Sequence, residues 1–277
     1  MPVFLLGDDL SDPRLEPYRN LKETNQTRRE GVFIAEGEKL VLRLLDSPHE
    51  LVSVLVSASH VERIAPQVPV EVPVLVVSPA AVEELVGFNF HRGVLACGRR
   101  TPGPTIAELL TAHAGRLTLV VCPDIKDPEN LGAIFRISRA FGVDAAVLGP
   151  HCCDPYSRRV LRVSMGTVLR LPIVQPPDLA EGLEQLRGAG VQLAATVLDP
   201  AAEHLEGAGR PERFGLLFGC EGYGLERRWL ELCDRQLTIA MEGGTDSLNV
   251  AVATGIFLYH FTRPGVHPES LGFRGGR

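Results

Sequence analysis

The sequence predicts an α/β protein whose second half is a mostly parallel sheet with helices on both faces. Three observations carry this reading. From Leu117 onward, apolar runs of strand length alternate with stretches of helical periodicity. Leu117 to Cys122 is apolar at every position but Thr118, as a strand buried on both faces requires. Finally, Gly98-Arg-Arg-Thr-Pro-Gly-Pro104 concentrates proline and glycine between this half and an earlier one with its own strand–helix pattern.

The earlier half, residues 1–98, reads as a small α/β unit. Pro13 to Asn25 and Gly37 to Asp46 carry apolar residues at helical spacing. Val32–Ala35, Val52–Val56, Val74–Val77 and Val94–Cys97 are short, mostly apolar runs that read as strands. Ser78-Pro79 is a helix start, since serine caps orphan N–H groups and proline presets the first helical φ. Residues 99–116 read as a linker and 117–265 as the second domain. There the first strand is followed by a helix from about Glu129 to Phe141, a strand at Ala145–Leu148 and a helix near Pro155 to Met165. A helix around Leu179 to Arg187 precedes the strand Gln192–Val197. Phe214–Phe218 and Gln236–Ala240 are strands separated by a short helix near Glu226, and a last helix runs from about Ser247 to Tyr259. The glycine-rich stretch 266–277 reads as a flexible tail.

Composition narrows the function classes. A length of 277 residues, 45% hydrophobic and 22% charged, fits one large or two small globular domains. The first ten residues lack the basic start and long apolar run of a signal peptide. Val250 to Phe261, the longest apolar stretch, holds Thr254, Gly255 and His260 and is too short to cross a bilayer. Six cysteines occur without a C-x-x-C pair, which fits buried thiols in a reducing cytoplasm and not a zinc site, so no metal is expected. A formal net charge of −6 argues against a uniformly basic surface. Between Lys126 and Arg170, however, seven basic residues stand against four acidic ones, which reads either as a solvated mixed surface or as a local basic face of the kind RNA docking needs.

Polar chemistry concentrates in three segments where an apolar strand gives way to a helix, the places where open α/β sheets bind ligands. The first is Asp127-Pro-Glu-Asn-Leu-Gly-Ala-Ile-Phe-Arg136. Asn130 and Arg136 lie six residues apart on a helix, only roughly on one side, and Gly132 leaves room for a backbone or ligand to approach. By itself Asn130 equally suits a helix cap, and Arg136 a partner for a core carboxylate. The second segment, Leu217-Phe-Gly-Cys-Glu-Gly-Tyr-Gly-Leu225, is a glycine-rich loop after a strand. It lacks the G-x-G-x-x-G before a long helix that a dinucleotide-dependent oxidoreductase would carry. Glu221 within it also suits a helix cap. In the third, Ser247-Leu-Asn-Val-Ala-Val-Ala-Thr-Gly255, Ser247 or the preceding Asp246 is positioned to cap a helix apolar enough to be buried.

In this order and spacing, the three segments resemble the motifs of the SpoU (TrmH-type) RNA ribose 2′-O-methyltransferases of the SPOUT superfamily. Ala140-Phe-Gly-Val143 and Arg162-Val-Ser-Met-Gly166 fit the same pattern, as do Arg29-Glu-Gly-Val-Phe-Ile-Ala-Glu-Gly37 and His91-Arg-Gly-Val-Leu-Ala96 in the first half. The resemblance spans about residues 12 to 262. It implies methylation of a ribose 2′-hydroxyl in rRNA or tRNA with S-adenosylmethionine. It also implies a deep trefoil knot, with the chain after about Phe214 threaded through an earlier loop, and a homodimer whose catalytic arginine acts across the interface.

On this resemblance, Asn130, Arg136, Glu221, Ser247 and Asn249 are the active-site residues. Leu217, Phe218, Gly219, Gly224, Ile239, Met241 and Leu248, with Ser247 and Asn249, hold the cofactor. The first domain selects the RNA, with Lys22, Arg28, Arg29 and Arg92 as contact candidates. Arg162 either touches RNA phosphate or holds the fold together. Two departures from the family pattern stand out. Ile239-Ala240-Met241 replaces Ile-Pro-Met, which bears on cofactor affinity, and Asp246 replaces a glutamate. A methyltransferase conferring antibiotic resistance has the same chemistry, and a non-catalytic RNA-binding paralogue is the alternative of another class. Which RNA is modified is not readable from the sequence.

Overall fold

The computed structural model describes residues 3–21, 30–88, 90, 93–242 and 247–262. Two sheets organise them. The first contains β1 (Val3–Gly7), β2 (Val32–Glu36), β3 (Leu51–Ser57), β4 (Val74–Val77) and β5 (Val94–Arg99), in the order β1-β4-β3-β5-β2. Its β1, β4 and β3 are parallel, whereas β5 runs antiparallel to both β3 and β2. Helices α1 (Glu38–Leu45), α2 (Val61–Ile64) and α3 (Pro79–Val86) join these strands. As the sequence predicts, the Ser78 hydroxyl caps α3, accepting from the Ala81 N–H at 3.2 Å.

Of the helix expected from Pro13 to Asn25, the described part, residues 13–21, holds one short 3-10 helix, Pro13–Tyr18, and residues 22–25 lie outside the described residues. Pro17 lies inside it and cannot donate into a longer helix, and Arg19 is already extended. Tyr18 is buried and its hydroxyl donates to the Ser53 carbonyl at 3.0 Å, so the apolar periodicity reflects docking on the sheet.

The second sheet is parallel throughout, because each connection crosses back over a face. After α4 (Ile106–Ala112) come β6 (Leu117–Cys122), α5 (Pro128–Ala140), β7 (Ala145–Leu148), α6 (Arg158–Val163), β8 (Ile173–Val174), α7 (Leu179–Gly188) and β9 (Gln192–Thr196). Then follow β10 (Glu203–His204), β11 (Arg213–Leu217), α8 (Arg227–Glu231), β12 (Arg235–Thr238) and α9 (Val250–Thr262). The strand order is β10-β12-β9-β11-β6-β7-β8. Parallel strands put all their C-terminal ends on one edge, so the loops after β6, β9, β11 and β12 converge there.

Residues 99–116 are not a simple linker. They contain α4, begun by a reciprocal capping box in which Thr105 and Glu108 satisfy each other's backbone N–H. Ile106 and Leu109 are buried with the β6 and α7 side chains, so this helix belongs to the second sheet's core. Residues 100–105 and 113–116 are free of regular structure, and Arg99 still belongs to β5.

The two sheets share one apolar core, and α6 is the piece that joins them. Arg158 donates to the Leu21 carbonyl at 2.9 Å and to Glu36 at 2.6 Å, and lies over the Phe88 ring. Arg100 makes a two-pronged bond to Asp154 at 2.7 and 2.6 Å, a geometry that fixes both direction and distance. Between them, Tyr156 stacks on Phe33 and meets the edge of His49, each with centroids 5.3 Å apart.

Burial in this aromatic seam holds the His49 imidazole below its ordinary value of 6.5. A base depressed on folding favours the native state while neutral. Stability is therefore full above about pH 6.5, the unfolded value, and falls as pH drops through it toward the lower folded value. The melting temperature is expected to drop between pH 7.5 and 5.5, and to drop less in His49→Phe, which keeps the ring packing. An identical drop in both proteins, by calorimetry, would remove His49 as the cause.

Candidate active site

At the C-terminal edge of the second sheet lies a cavity of about 420 Å³, bounded by the ends of β9 and β11, the loop after β12 and the first turns of α9. That is within the range of roughly 300–1,000 Å³ for small-molecule sites. Its walls include Phe218, Gly219 and Gly224 after β11, Ile239 and Met241 after β12, and Ser247, Leu248 and Asn249 before α9. All of these are expected from the sequence. Leu217 is not part of the wall. Its side chain is buried in the sheet, and its carbonyl accepts from the Thr196 hydroxyl at 2.8 Å. Thr196, Val197 and Leu198 do line the cavity. Local sequence gives no sign of this, because it follows from β9 lying beside β11.

The glycine loop closes on itself. Cys220 and Gly224 exchange backbone hydrogen bonds at 3.2 and 3.1 Å, forming a tight turn around Glu221, Gly222 and Tyr223. A Cβ on Gly219 would sit 2.2 Å from the Gly224 carbonyl carbon, so glycine is required there. Gly132 has a different reason. A Cβ on it would meet Val163 Cβ at 2.8 Å and the Val160 carbonyl at 3.1 Å. The space foreseen there admits the α6 backbone and not a ligand.

At the mouth of the cavity, three side chains far apart in sequence converge. Asn249 Nδ2 donates to Asn130 Oδ1 at 2.9 Å and to Glu221 Oε1 at 2.6 Å. The Asn249 Oδ1 atom accepts from the N–H groups of Ala251 at 2.9 Å and Val252 at 3.3 Å. Asn249 is thus the N-cap of α9, in place of Ser247 or Asp246, and α9 begins at Val250 for that reason. Asp246 lies outside the described residues. Nor does Asn130 cap α5, because Asp127 does so, accepting from Glu129 N–H at 2.8 Å. Asn130, 6% exposed, instead turns its carbonyl oxygen toward Asn249.

Arg136 is not drawn into this cluster. It is exposed on α5, and among the described residues it has neither a hydrogen bond nor an ion pair. Six residues beyond Asn130, it lies about 9 Å further along the helix. Arg162 on α6 is half-buried and also lacks a side-chain hydrogen bond among the described residues. Lys22, Arg28, Arg29, Arg92 and the tail 266–277 lie outside the described residues. Burial pushes the Cys152 thiol up to about 11 and the Cys153 thiol up to about 12, which keeps both in the protonated form. Among the described residues, no cluster of metal-ligand side chains occurs and no helix is long and apolar enough to cross a membrane.

One further surface adjoins the site. The helix α9 is apolar on nearly all sides, which in sequence reads as complete burial. Instead it buries Val250, Ala251, Phe257, Leu258 and Phe261 and leaves Val252, Ile256 and Tyr259 exposed at 52%, 38% and 50%. Tyr259 meets the edge of Phe141 at the end of α5, so this exposed face adjoins the helix that carries Arg136.

Residues 117–259 match the SpoU rRNA Methylase family. An uncharacterized tRNA/rRNA methyltransferase of Mycobacterium bovis is 36% identical over 94% of this chain and 92% of its own. The 23S rRNA (guanosine(2553)-2′-O)-methyltransferase of Bacillus subtilis is 28% identical over 91% of this chain and 97% of its own. Among solved structures, an AdoMet-bound rRNA methyltransferase from Sinorhizobium meliloti superposes with a TM-score of 0.80. It is 28% identical, over 93% of this chain and 97% of that one.

Replacing the capping oxygen tests the cluster. Asn249→Ala and Asn249→Ser both lose the bonds to Asn130 and Glu221, but only serine keeps an oxygen at the cap, so the alanine variant is expected to be less stable than the serine variant by about 1 kcal/mol. Equal losses in the two variants on urea titration would refute the capping role.

Proposed function

The chain belongs to the SpoU rRNA methylase family, and from that premise we propose that it transfers a methyl group from S-adenosylmethionine to a ribose 2′-hydroxyl in rRNA or tRNA. The observation that carries this reading is the Asn130–Asn249–Glu221 cluster at the mouth of the cavity. The cavity fits the cofactor in size and in kind. Phe218, Ile239, Met241 and Leu248 would offer apolar walls to the adenosine and the methionine carbons, and the Gly219–Gly224 turn would offer backbone groups to its polar atoms. When bound, the cofactor supplies a methyl group already activated by its sulfonium, so the protein's task is alignment of the acceptor oxygen.

Within that task, Asn130, Glu221 and Asn249 hold the loop after β11, the start of α5 and the start of α9 in one arrangement. Ser247 lines the cavity beside them. Arg136 has the other role. A guanidinium stays protonated at any working pH, so it grips the phosphate next to the target ribose and stabilises the developing alkoxide. A basic limb of the pH–rate profile that vanishes in Arg136→Lys, with RNA binding intact, would make Arg136 the base instead.

The proposal extends to a homodimer. The exposed Val252–Ile256–Tyr259 face is the surface a second copy would cover, and Arg136 beside it would then serve the partner's cavity. The trefoil knot of the family belongs to the same proposal, supported by the insertion of β11 between β6 and β9. So does a division of labour in which the first sheet's unit selects the RNA through Lys22, Arg28, Arg29 and Arg92, with Arg162 of α6 as a further contact. Six free cysteines fit a reducing cytoplasm. The intact cluster favours an active enzyme over a non-catalytic RNA-binding paralogue.

Transfer of labelled methyl from S-adenosylmethionine to separated rRNA and tRNA pools, from cells lacking the gene, tests the activity. Label is expected in one pool, and Arg136→Ala is expected to reduce it at least 100-fold, the scale of losing one such electrostatic contact. No label in either pool, with the cofactor bound, would overturn the reading. Mixing Arg136→Ala with Asn130→Ala subunits is expected to restore roughly a quarter of the wild-type rate if the arginine acts across a dimer. No restoration would place Arg136 in its own subunit's site.

A further inference from the structure

The glycine loop carries one side chain that the alignment of cofactor and ribose leaves unused. Tyr223 lies two residues after Glu221, between Gly222 and Gly224, both of which line the cavity. Its ring does not enter the cavity. Instead it is 63% exposed, although large aromatic side chains usually bury their faces. The ring is nevertheless not loose. The Tyr223 hydroxyl donates to Asp124 Oδ2 at 3.1 Å and accepts from Lys126 Nζ at 3.4 Å. Asp124 and Lys126 belong to the turn after β6 that leads directly into Asp127 and Asn130. The tyrosine therefore bridges the two loops that flank the cluster, its hydroxyl pinned and its faces open to solvent.

We propose that Tyr223 is a stacking platform for a base of the RNA substrate next to the target nucleotide, with Lys126 holding an adjoining phosphate. This rests on the reading of the protein as an RNA methyltransferase. Three features of the site support it. An aromatic ring accepts any base on its π-face, and a 2′-oxygen can be brought to the cavity mouth only when the nucleotide is drawn out of regular stacking, which leaves a base in need of a partner. The pinned hydroxyl fixes the ring in advance, so little side-chain freedom is lost when a base arrives. The charges are also sorted by depth. The side chain of Lys126 is 67% exposed and that of Asp124 only 13%, so the cation faces the solvent while the carboxylate lies beneath the tyrosine. A strand of phosphates passing over the loop would meet the ammonium and the ring.

The competing role is a strut, in which the Tyr223–Asp124 hydrogen bond merely holds the glycine loop in shape. The two roles separate by substitution. Tyr223→Phe keeps the ring and loses the bond, Tyr223→Trp enlarges the platform, and Tyr223→Ala removes both. The test measures three quantities for each full-length variant. They are retention of labelled, protein-free rRNA or tRNA (whichever pool accepts methyl), binding of S-adenosylmethionine by titration calorimetry, and melting temperature. For a platform, Tyr223→Ala is expected to weaken RNA retention about tenfold, with Tyr223→Phe and Tyr223→Trp, which keep a ring but lose its pin, weakened by about threefold or less and cofactor affinity unchanged in all three.

Lys126→Ala is expected to weaken RNA retention as well and to lessen its salt dependence, as the loss of one phosphate contact requires. Two results would overturn the platform while leaving the methyltransferase reading intact. One is wild-type RNA retention in Tyr223→Ala. The other is an equal loss in Tyr223→Phe and Tyr223→Ala together with weakened cofactor binding, which is the signature of a strut. A wild-type protein that neither methylates nor retains any RNA would overturn both readings at once.

Discussion

One amide holds this site together. Asn249 uses both halves of its side chain, the oxygen to cap α9 and the nitrogen to bond Asn130 and Glu221. The partners lie 119 and 28 residues away in the chain. The cap also settles which way the amide faces. Helix N–H groups demand an acceptor, so the donor must point outward to the two oxygens. Aspartate could cap the helix but would place a second carboxylate against Glu221 and offer no donor to Asn130. Serine could cap without reaching either.

That arrangement is available because the second sheet is parallel throughout. Each strand returns by a crossover, so the loops that carry the three motifs meet at one edge even though the strands bearing them are not consecutive. The glycine loop then adopts the only shape its close approach permits, with Gly219 against Gly224. It offers Glu221 to the cluster on one side and Tyr223 to solvent on the other. The first sheet is fixed to this assembly by Arg158, Arg100 and the Phe33–Tyr156 stack, so the RNA-selecting unit of the proposed enzyme has a set position relative to the cavity.

Much of this architecture is legible in the sequence where periodicity is strong. The strands Val74–Val77 and Ala145–Leu148 and the helix Pro128–Ala140 coincide with their apolar patterns to within a residue or so. The strands β8 and β10 are two residues long and carry no pattern. The helix α4 escapes because proline and glycine just before it suggest a linker, although Thr105 and Glu108 do mark a helix start. The N-cap of α9 is ambiguous for a physical reason, since Asp246, Ser247 and Asn249 are all capping residue types and only backbone geometry chooses among them. Cavity residues contributed by β9 are invisible for another. They depend on strand order, which local sequence does not encode.

The placement of Arg136 follows a different logic from that of the cluster. A buried guanidinium needs partners for its donors, and none of the described side chains supplies them, so the residue stands in solvent on α5. Beside it, α9 exposes three large apolar side chains, one of them touching Phe141 at the end of the same helix. An exposed apolar stripe is a cost to an isolated subunit and a gain to a paired one. If a second copy covers it, the same contact that removes Val252, Ile256 and Tyr259 from water brings an unpaired arginine to the edge of the neighbouring cavity. The phosphate charge of the substrate would then complete what the fold leaves open. On the proposed reading, the acidic net charge of the chain matters little, because Arg136 has no carboxylate partner among the described residues.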